Sequence, residues 1–222
     1  MKRRFIAIII PVISLLTACA KNNLRSDITE FIASFSIDLA VANYPKASYT
    51  REDISVTENV TSRIVKKMAI DRTNEDNMVY DYQEITYENN EEKSNVHRYI
   101  EKKDEKYFYI DENGETERSK MQVNTLINTF FYTSSDEEIY TGAMFMGDAF
   151  REILPNIQDL VEIDSENKIL VYSYVNVMTD EEKEVRIDQT VTLDQYGMLK
   201  KEDMKKTSDL GTFETHIEVK KQ

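Results

Sequence analysis

"DISVTENVTSRIVKKMAID", residues 53–71, alternates between apolar and polar side chains over most of its length. Successive side chains of a β-strand point to opposite faces of a sheet, so a period of two predicts strand structure. We therefore expect one long strand here, or two joined by a bend, with the even-numbered face buried. The apolar side chains at even positions are Ile54, Val56, Val60, Ile64, Met68 and Ile70.

Similar runs continue on both sides of the middle of the chain. The runs 77–88, 95–103 and 106–112 are rich in tyrosine and β-branched residues, as strands usually are. Asn113-Gly114 within "ENGE" is a strong hairpin signal, because both residues tolerate a positive φ. Period two returns in 168–178 ("KILVYSYVNVM") and again up to Val219. Several long antiparallel strands are predicted.

Two segments show helical spacing instead. The first, residues 24–43, starts at a possible capping box of Asp27 and Glu30 and ends before Pro45. Its apolar stripe consists of Leu24, Ile28, Phe31, Ile32, Phe35 and Leu39.

The second helical segment covers residues 120–154. A capping box of Ser135 and Glu138 predicts the start of its second helix, and Pro155 predicts the end. The apolar positions of these helices are Val123, Leu126, Ile127 and Phe130, then Ile139, Ala143, Met146, Phe150 and Ile153.

This order of elements predicts an α+β fold. We expect a curved antiparallel β-sheet, half-barrel-like, with an N-terminal helix and a central helical insertion packed on one face. No repeat and no Pro-, Gly- or Ser-rich linker interrupts residues 27–222, so one globular domain is expected there.

The N-terminus suggests export. "MKRR" (1–4) precedes the uncharged run 5–16, which has the length of a signal-peptide core and is interrupted by Pro11. The sequence Leu16-Thr17-Ala18-Cys19 resembles the lipobox of bacterial lipoproteins. An ordinary signal peptide that happens to contain a cysteine, or an uncleaved anchor, are the alternatives.

The lipobox resemblance implies a signal peptide at residues 1–18 and a diacylglyceryl anchor on Cys19. Residues 19–26 would then be a short lipidated tether that holds the domain near the membrane. The expected location is extracytoplasmic, on the outer face of the cytoplasmic membrane, or on the outer membrane if the cell has two. Cys19 is the only cysteine of the 222 residues, so no disulfide is expected.

The pattern of helices and strands over roughly residues 24–220 resembles the lipoprotein-carrier superfamily of LolA, LolB and LppX-type lipoproteins. That resemblance implies a sheet wrapped around helices and an apolar cavity beneath it. Its implied ligand is a lipid or another apolar molecule. We assign to such a cavity the side chains Tyr107, Tyr109, Met144, Phe145, Met146 and Phe150, because aromatic rings line cavities well and methionine adapts to irregular apolar shapes.

Charge and motif content argue against other classes. The net charge of -13 opposes binding to nucleic acid, which is not expected as a partner. The two histidines, His97 and His216, stand in strand-like runs among polar neighbours. No HExxH, CxxC, GxSxG or SxxK motif and no phosphate-binding glycine loop occurs, so no catalytic residue, metal site or cofactor is predicted.

Three functions therefore compete. The first is a lipid- or apolar-ligand-binding lipoprotein of the cell envelope. The second is an interaction or structural module that docks another envelope protein and needs no small ligand. The third, an enzyme acting on an envelope polymer, is the least favoured, and our expectation is that the protein is not an enzyme.

Overall fold

The computed structural model describes residues 24–132, 144–180 and 183–222. The α-helices are α1 (Ser26–Ile32), α2 (Ile37–Asn43), α3 (Lys120–Asn128) and α4 (Gly147–Ile157), and a 3-10 turn (Gln158–Leu160) follows α4. The strands are β1 (Lys46–Thr57), β2 (Val60–Asp71), β3 (Val79–Glu88), β4 (Glu91–Lys103), β5 (Lys106–Asp111), β6 (Gly114–Arg118), β7 (Val161–Asp164), β8 (Ile169–Asp180), β9 (Lys183–Asp194), β10 (Leu199–Ser208) and β11 (Gly211–Lys221).

The strands form one 11-stranded sheet in the order β6-β5-β4-β3-β2-β1-β11-β10-β9-β8-β7. Every neighbouring pair is antiparallel. Among the described residues the two end strands, β6 and β7, do not pair with each other, so the sheet is open. The predicted α+β class with a large antiparallel sheet is confirmed.

Residues 53–71 form most of the hairpin β1–β2, and the prediction that their even-numbered side chains are buried was partly wrong. Thr57 pairs with Val60 across a turn of Glu58 and Asn59. Odd residues of β1 therefore lie opposite even residues of β2, so Tyr49 faces Met68 and both are buried. Ile54 and Val56 lie on the opposite face of the sheet, because a two-residue loop reverses the parity of the alternation.

One face of the sheet, called here the inner face, carries most of the buried side chains. The cross-strand register places Tyr49, Met68, Tyr82, Val219 and Val191 on this face, and all of them are buried. The helices contribute to the same apolar cluster through Ile28, Phe35, Ala40, Val123, Ile127, Phe150 and Leu154. Burial of that apolar area is the main force holding the helices to the sheet.

The first predicted helix, 24–43, is in fact two. The chain leaves the helix after Ile32, where the hydroxyl of Ser34 donates to the carbonyl of Gln195 at 2.6 Å and holds the break against the β9–β10 turn. The capping box was also wrong: Arg25 is the N-cap without a side-chain cap, and Asp27 forms an ion pair with Arg25 at 2.7 Å.

The predictions for the middle of the chain were mixed. The helix predicted at Val123, Leu126 and Ile127 is confirmed as α3, which begins at a capping box of Ser119 and Gln122 and ends at Asn128, before Phe130. The Ser135–Glu138 box and the start of the next helix lie outside the described residues. That helix is helical only from Gly147, and Pro155 does not end it, since α4 continues to Ile157. The predicted hairpin at "ENGE" is confirmed as β5–β6, with Asp111 paired to Gly114 at φ 124°.

Candidate functional site

An open groove of about 810 Å³ lies between α4 and the inner face of β8 and β9. Apolar side chains form most of its wall, and three amides and two tyrosines supply its polar atoms. The lining residues are Met146, Ala149, Phe150, Ile153, Asn156, Ile157, Leu160, Tyr172, Tyr174, Val175, Asn176, Gln189, Val191 and Leu193. Sites for small molecules commonly occupy about 300–1,000 Å³, so the groove has ligand size.

The segment before α4 fixes the position of that helix. Phe145 forms a β-bridge with Met198, and the Met146 N–H donates to the carbonyl of Gly197 at 2.9 Å. Gly197 has φ 83°, and its Cβ would lie 3.0 Å from the Cα of Gly147. A side chain at position 197 would therefore be strained and would push the start of α4 away from the sheet. Residues 144–146 are therefore not helical as expected: Phe145 forms the bridge, and Met146 is the N-cap of α4.

Aromatic contacts form the floor of the groove. Phe150 on α4 is buried and meets Phe35 at 6.0 Å and Tyr172 at 5.6 Å between ring centroids. Tyr172 and Tyr174, two residues apart on β8, point to the same face, and their rings are near-parallel with centroids 6.4 Å apart. Tyr172 is 4% exposed and contacts both Phe150 and Tyr174, so the half-buried Tyr174 is the more accessible ring of the two.

A polar corner adjoins the tyrosines. The Gln189 side chain on β9 donates to the Glu202 carboxylate on β10 at 2.7 Å. Burial first, and then the negative charge of Glu202, raise the pKa of Tyr172 to about 12. The same two causes raise the pKa of Tyr174. Glu202 pairs with Val191, and Val191 pairs with Tyr172, so Glu202 and Tyr172 lie two strands apart in one cross-strand row with Val191 between them.

A buried polar cluster continues from this corner across the inner face. Ile217 on β11 pairs with both Glu202 and Arg51, which places Glu202 and Arg51 in one row. The Arg51 Nε donates to Asp53 at 2.8 Å, and the hydroxyl of Thr215 donates to Asp53 at 2.7 Å. Asp53 is only 9% exposed, although its odd position was expected to face solvent.

The sequence-assigned ligand side chains separate into two groups. Met146 and Phe150 line the groove, whereas Met144 is buried beside it and Phe145 contacts Gly147. Cys19 lies outside the described residues.

Tyr107 and Tyr109 lie on β5, at the other end of the sheet from the groove. The Tyr107 hydroxyl donates to the carbonyl of Glu75 at 3.0 Å and accepts from the Met78 N–H at 3.3 Å. Tyr109 contacts Tyr80 at 6.4 Å between centroids. These hydrogen bonds and ring contacts make both side chains part of the core around β3–β5.

The residues that sequence reasoning did not assign to the site are mainly Tyr172, Tyr174 and Gln189. The alternation within 168–178 places the two tyrosines on one face, which was a usable signal. It did not say which helix would cover that face. Gln189 comes to the groove only through the pairing of Tyr174 with Gln189 between β8 and β9.

Both histidines lie on the outer face of the sheet. His97 is 3.3 Å from Asp81, and His216 is 2.8 Å from Asp203, between nitrogen and carboxylate oxygen. Within the part of the chain that the structure describes, no group of three or more His, Cys, Asp or Glu side chains is arranged to hold a metal ion. In that same part, no helix has the length and apolar composition to cross a bilayer.

Comparison with known proteins gives little further information. No family model matches the sequence. No curated protein matches it either. A solved structure, the β-barrel-like protein of a domain of unknown function, DUF1849, from Brucella abortus, is similar at 8% identity, with 80% of this chain and 98% of that chain covered. Its TM-score is 0.25, a value too low to carry an argument about fold or function.

Proposed function

We propose that the protein is a lipid-anchored, extracytoplasmic lipoprotein that binds an apolar molecule, such as a lipid or fatty acid, in the groove under α4. The observation that carries the proposal is the groove itself, with Ile153, Ile157, Leu160 and Val191 among its lining side chains. An apolar chain that enters the groove leaves water and contacts apolar wall, which favours binding. A large open antiparallel sheet with helices packed against its inner face suits this role.

The anchor belongs to the same proposal. The sequence Leu16–Cys19 supports it through the lipobox resemblance. We expect a clickable palmitate analogue, fed to the producing cells, to label the chain and to be lost from the Cys19→Ser variant. Equal labelling of both chains would contradict the anchor.

Ligand binding can be tested with a substitution at the rim of the groove whose side chain fills the groove. Ala149 is exposed and lines the groove, so Ala149→Trp adds a large ring there without disturbing the core. We expect native mass spectrometry of the full-length protein to show at least about tenfold less co-purified lipid on this variant.

The matched control for that test is Glu152→Trp. Glu152 is exposed on the same helix and is absent from the groove lining. It adds the same ring to α4 and should leave lipid occupancy unchanged. Equal occupancy in Ala149→Trp and the parent would contradict ligand binding in the groove.

An alternative function as a protein-interaction module has one observation in its favour. Among the described residues, β7 covers β8 only as far as the pair Val161–Tyr172, so the rest of that edge has no strand partner. Val175 and Val177 on this edge are 56% and 51% exposed. An apolar edge of this kind can accept a strand from another protein. Val177→Lys would block a strand partner and leave lipid occupancy intact.

A further inference from the structure

The charge around the groove restricts the headgroup of its ligand. Among the described residues that line the groove there is no lysine, arginine, aspartate or glutamate. The carboxylate of Glu202 is the charged group joined directly to the wall, through its hydrogen bond from Gln189. An anionic headgroup would therefore meet a negative charge and no cation in the wall.

The cation nearest to Glu202 in the cross-strand row is already engaged. Arg51 forms a close ion pair with Asp53, with 2.8 Å between Nε and the carboxylate oxygen. Asp53 balances the charge of Arg51, which leaves the negative charge of the Glu202 carboxylate, the acceptor of the Gln189 hydrogen bond. That charge lies beside the polar corner of the groove, where Tyr174 and Gln189 meet the apolar wall.

The half-buried ring of Tyr174, supported by Tyr172, adds an aromatic surface to this corner. A cation is attracted to the face of a tyrosine ring, and the attraction grows when water is excluded. Tyr172 is buried against Phe150, and Tyr174 is half-buried beside it with nearly the same ring orientation. A carboxylate next to aromatic faces is a chemistry suited to ammonium groups, including quaternary ones.

We infer that the groove takes an amphiphile with one apolar chain and an ammonium headgroup, held by the ring of Tyr174 and by the carboxylate of Glu202. This inference rests on the proposed function, because the apolar chain occupies the groove under α4. The chain would lie along Ile153, Ile157 and Leu160, and the headgroup would lie at the corner of Gln189.

Photo-cross-linking in membranes of the producing cell tests the inference on the full-length protein. The probes are two amphiphiles with the same twelve-carbon chain and the same diazirine, one ending in trimethylammonium and the other in carboxylate. Mass spectrometry then maps the cross-links to peptides of α4, β8 and β9. We expect half-maximal labelling by the cationic probe at a concentration about tenfold lower than by the anionic probe.

Variants assign the preference to its residues. Glu202→Gln keeps the shape of the side chain and removes its charge, and should abolish the preference. Tyr174→Leu should reduce it severalfold. Glu218→Gln is the matched control, since it removes an exposed carboxylate on the neighbouring strand β11, and it should leave the ratio between the probes unchanged.

The outcomes separate the inference from the proposed function. Equal labelling of the groove by both probes, or a preference that survives Glu202→Gln, overturns the ammonium headgroup and leaves apolar-ligand binding standing. Absence of groove labelling by either probe overturns the proposed function as well. A preference that Glu218→Gln abolishes equally is a surface-charge effect and also overturns the headgroup inference.

Discussion

Asp53 provides a sharp test of how the inner face is stabilised. In Asp53→Ala the charge-assisted hydrogen bonds from Arg51 and Thr215 are lost. Thr215 is 3% exposed, so its hydroxyl would stay buried without this partner, whereas the Arg51 side chain is 29% exposed and can recover some hydration. We expect a loss of about 3 kcal/mol in the free energy of unfolding.

The assay is urea unfolding of residues 20–222 followed by far-UV circular dichroism. With an m-value of about 2 kcal/mol/M, that loss lowers the midpoint by about 1.5 M. The double variant Asp53→Ala/Thr215→Val removes the orphaned hydroxyl and should recover about 1–2 kcal/mol. A loss below about 1 kcal/mol in the single variant, or no recovery in the double variant, would refute this account of the buried cluster.

Two further predictions concern α4 and the β7–β8 turn. Phe150→Ala should cost about 3–5 kcal/mol in urea unfolding, because it empties a buried site between two aromatic rings. Ile153→Ala, on the exposed side of the same helix, should cost under about 1 kcal/mol, and similar losses in both would contradict the packing of α4. The side chain of Asn167 and the backbone N–H groups of Asn167 and Glu166 hold the pKa of Asp164 below its usual value. The stability that Asp164 contributes is therefore present above its pKa in the unfolded chain and is lost as pH falls through its pKa in the folded protein. Asp164→Asn should therefore weaken the acid dependence of the unfolding midpoint below about pH 4, and an unchanged pH profile would contradict this contribution.

The sequence was sufficient to predict which segments form strands, but not which side chains of those strands lie on the inner face. Alternation within 53–71 predicted strand structure correctly, but it contained no signal that Glu58 and Asn59 form the turn. Because a two-residue turn exchanges odd and even faces, Asp53 was expected in solvent and is found in the interior. The prediction that Asp53 is exposed was wrong because the chain reverses at this turn, not because of the residue composition of the strand.

From the sequence, we could predict only those residues of the candidate site whose position follows from local helical spacing. Helical spacing identified Phe150, and its neighbour Met146 also reaches the groove. The link between Gln189 and Glu202 depends on the register of β9 and β10, which no local pattern encodes. The break after Ile32 likewise depends on a contact between Ser34 and the distant Gln195.

The ladder between β1 and β11 bears on how the chain tolerates being cut. Every other ladder joins strands that are consecutive along the chain, whereas this one connects the β1–β6 meander to the β7–β11 meander, from the pair Ala47–Lys221 to the pair Val56–Thr212. A chain severed between Arg118 and Val161 would yield two fragments that each retain a full set of hairpins. Co-expressed, such fragments should recombine through this ladder and through contacts such as Ser34–Gln195 and, for a cut before Phe150, Phe35–Phe150, which makes the protein a candidate scaffold for split-reporter complementation.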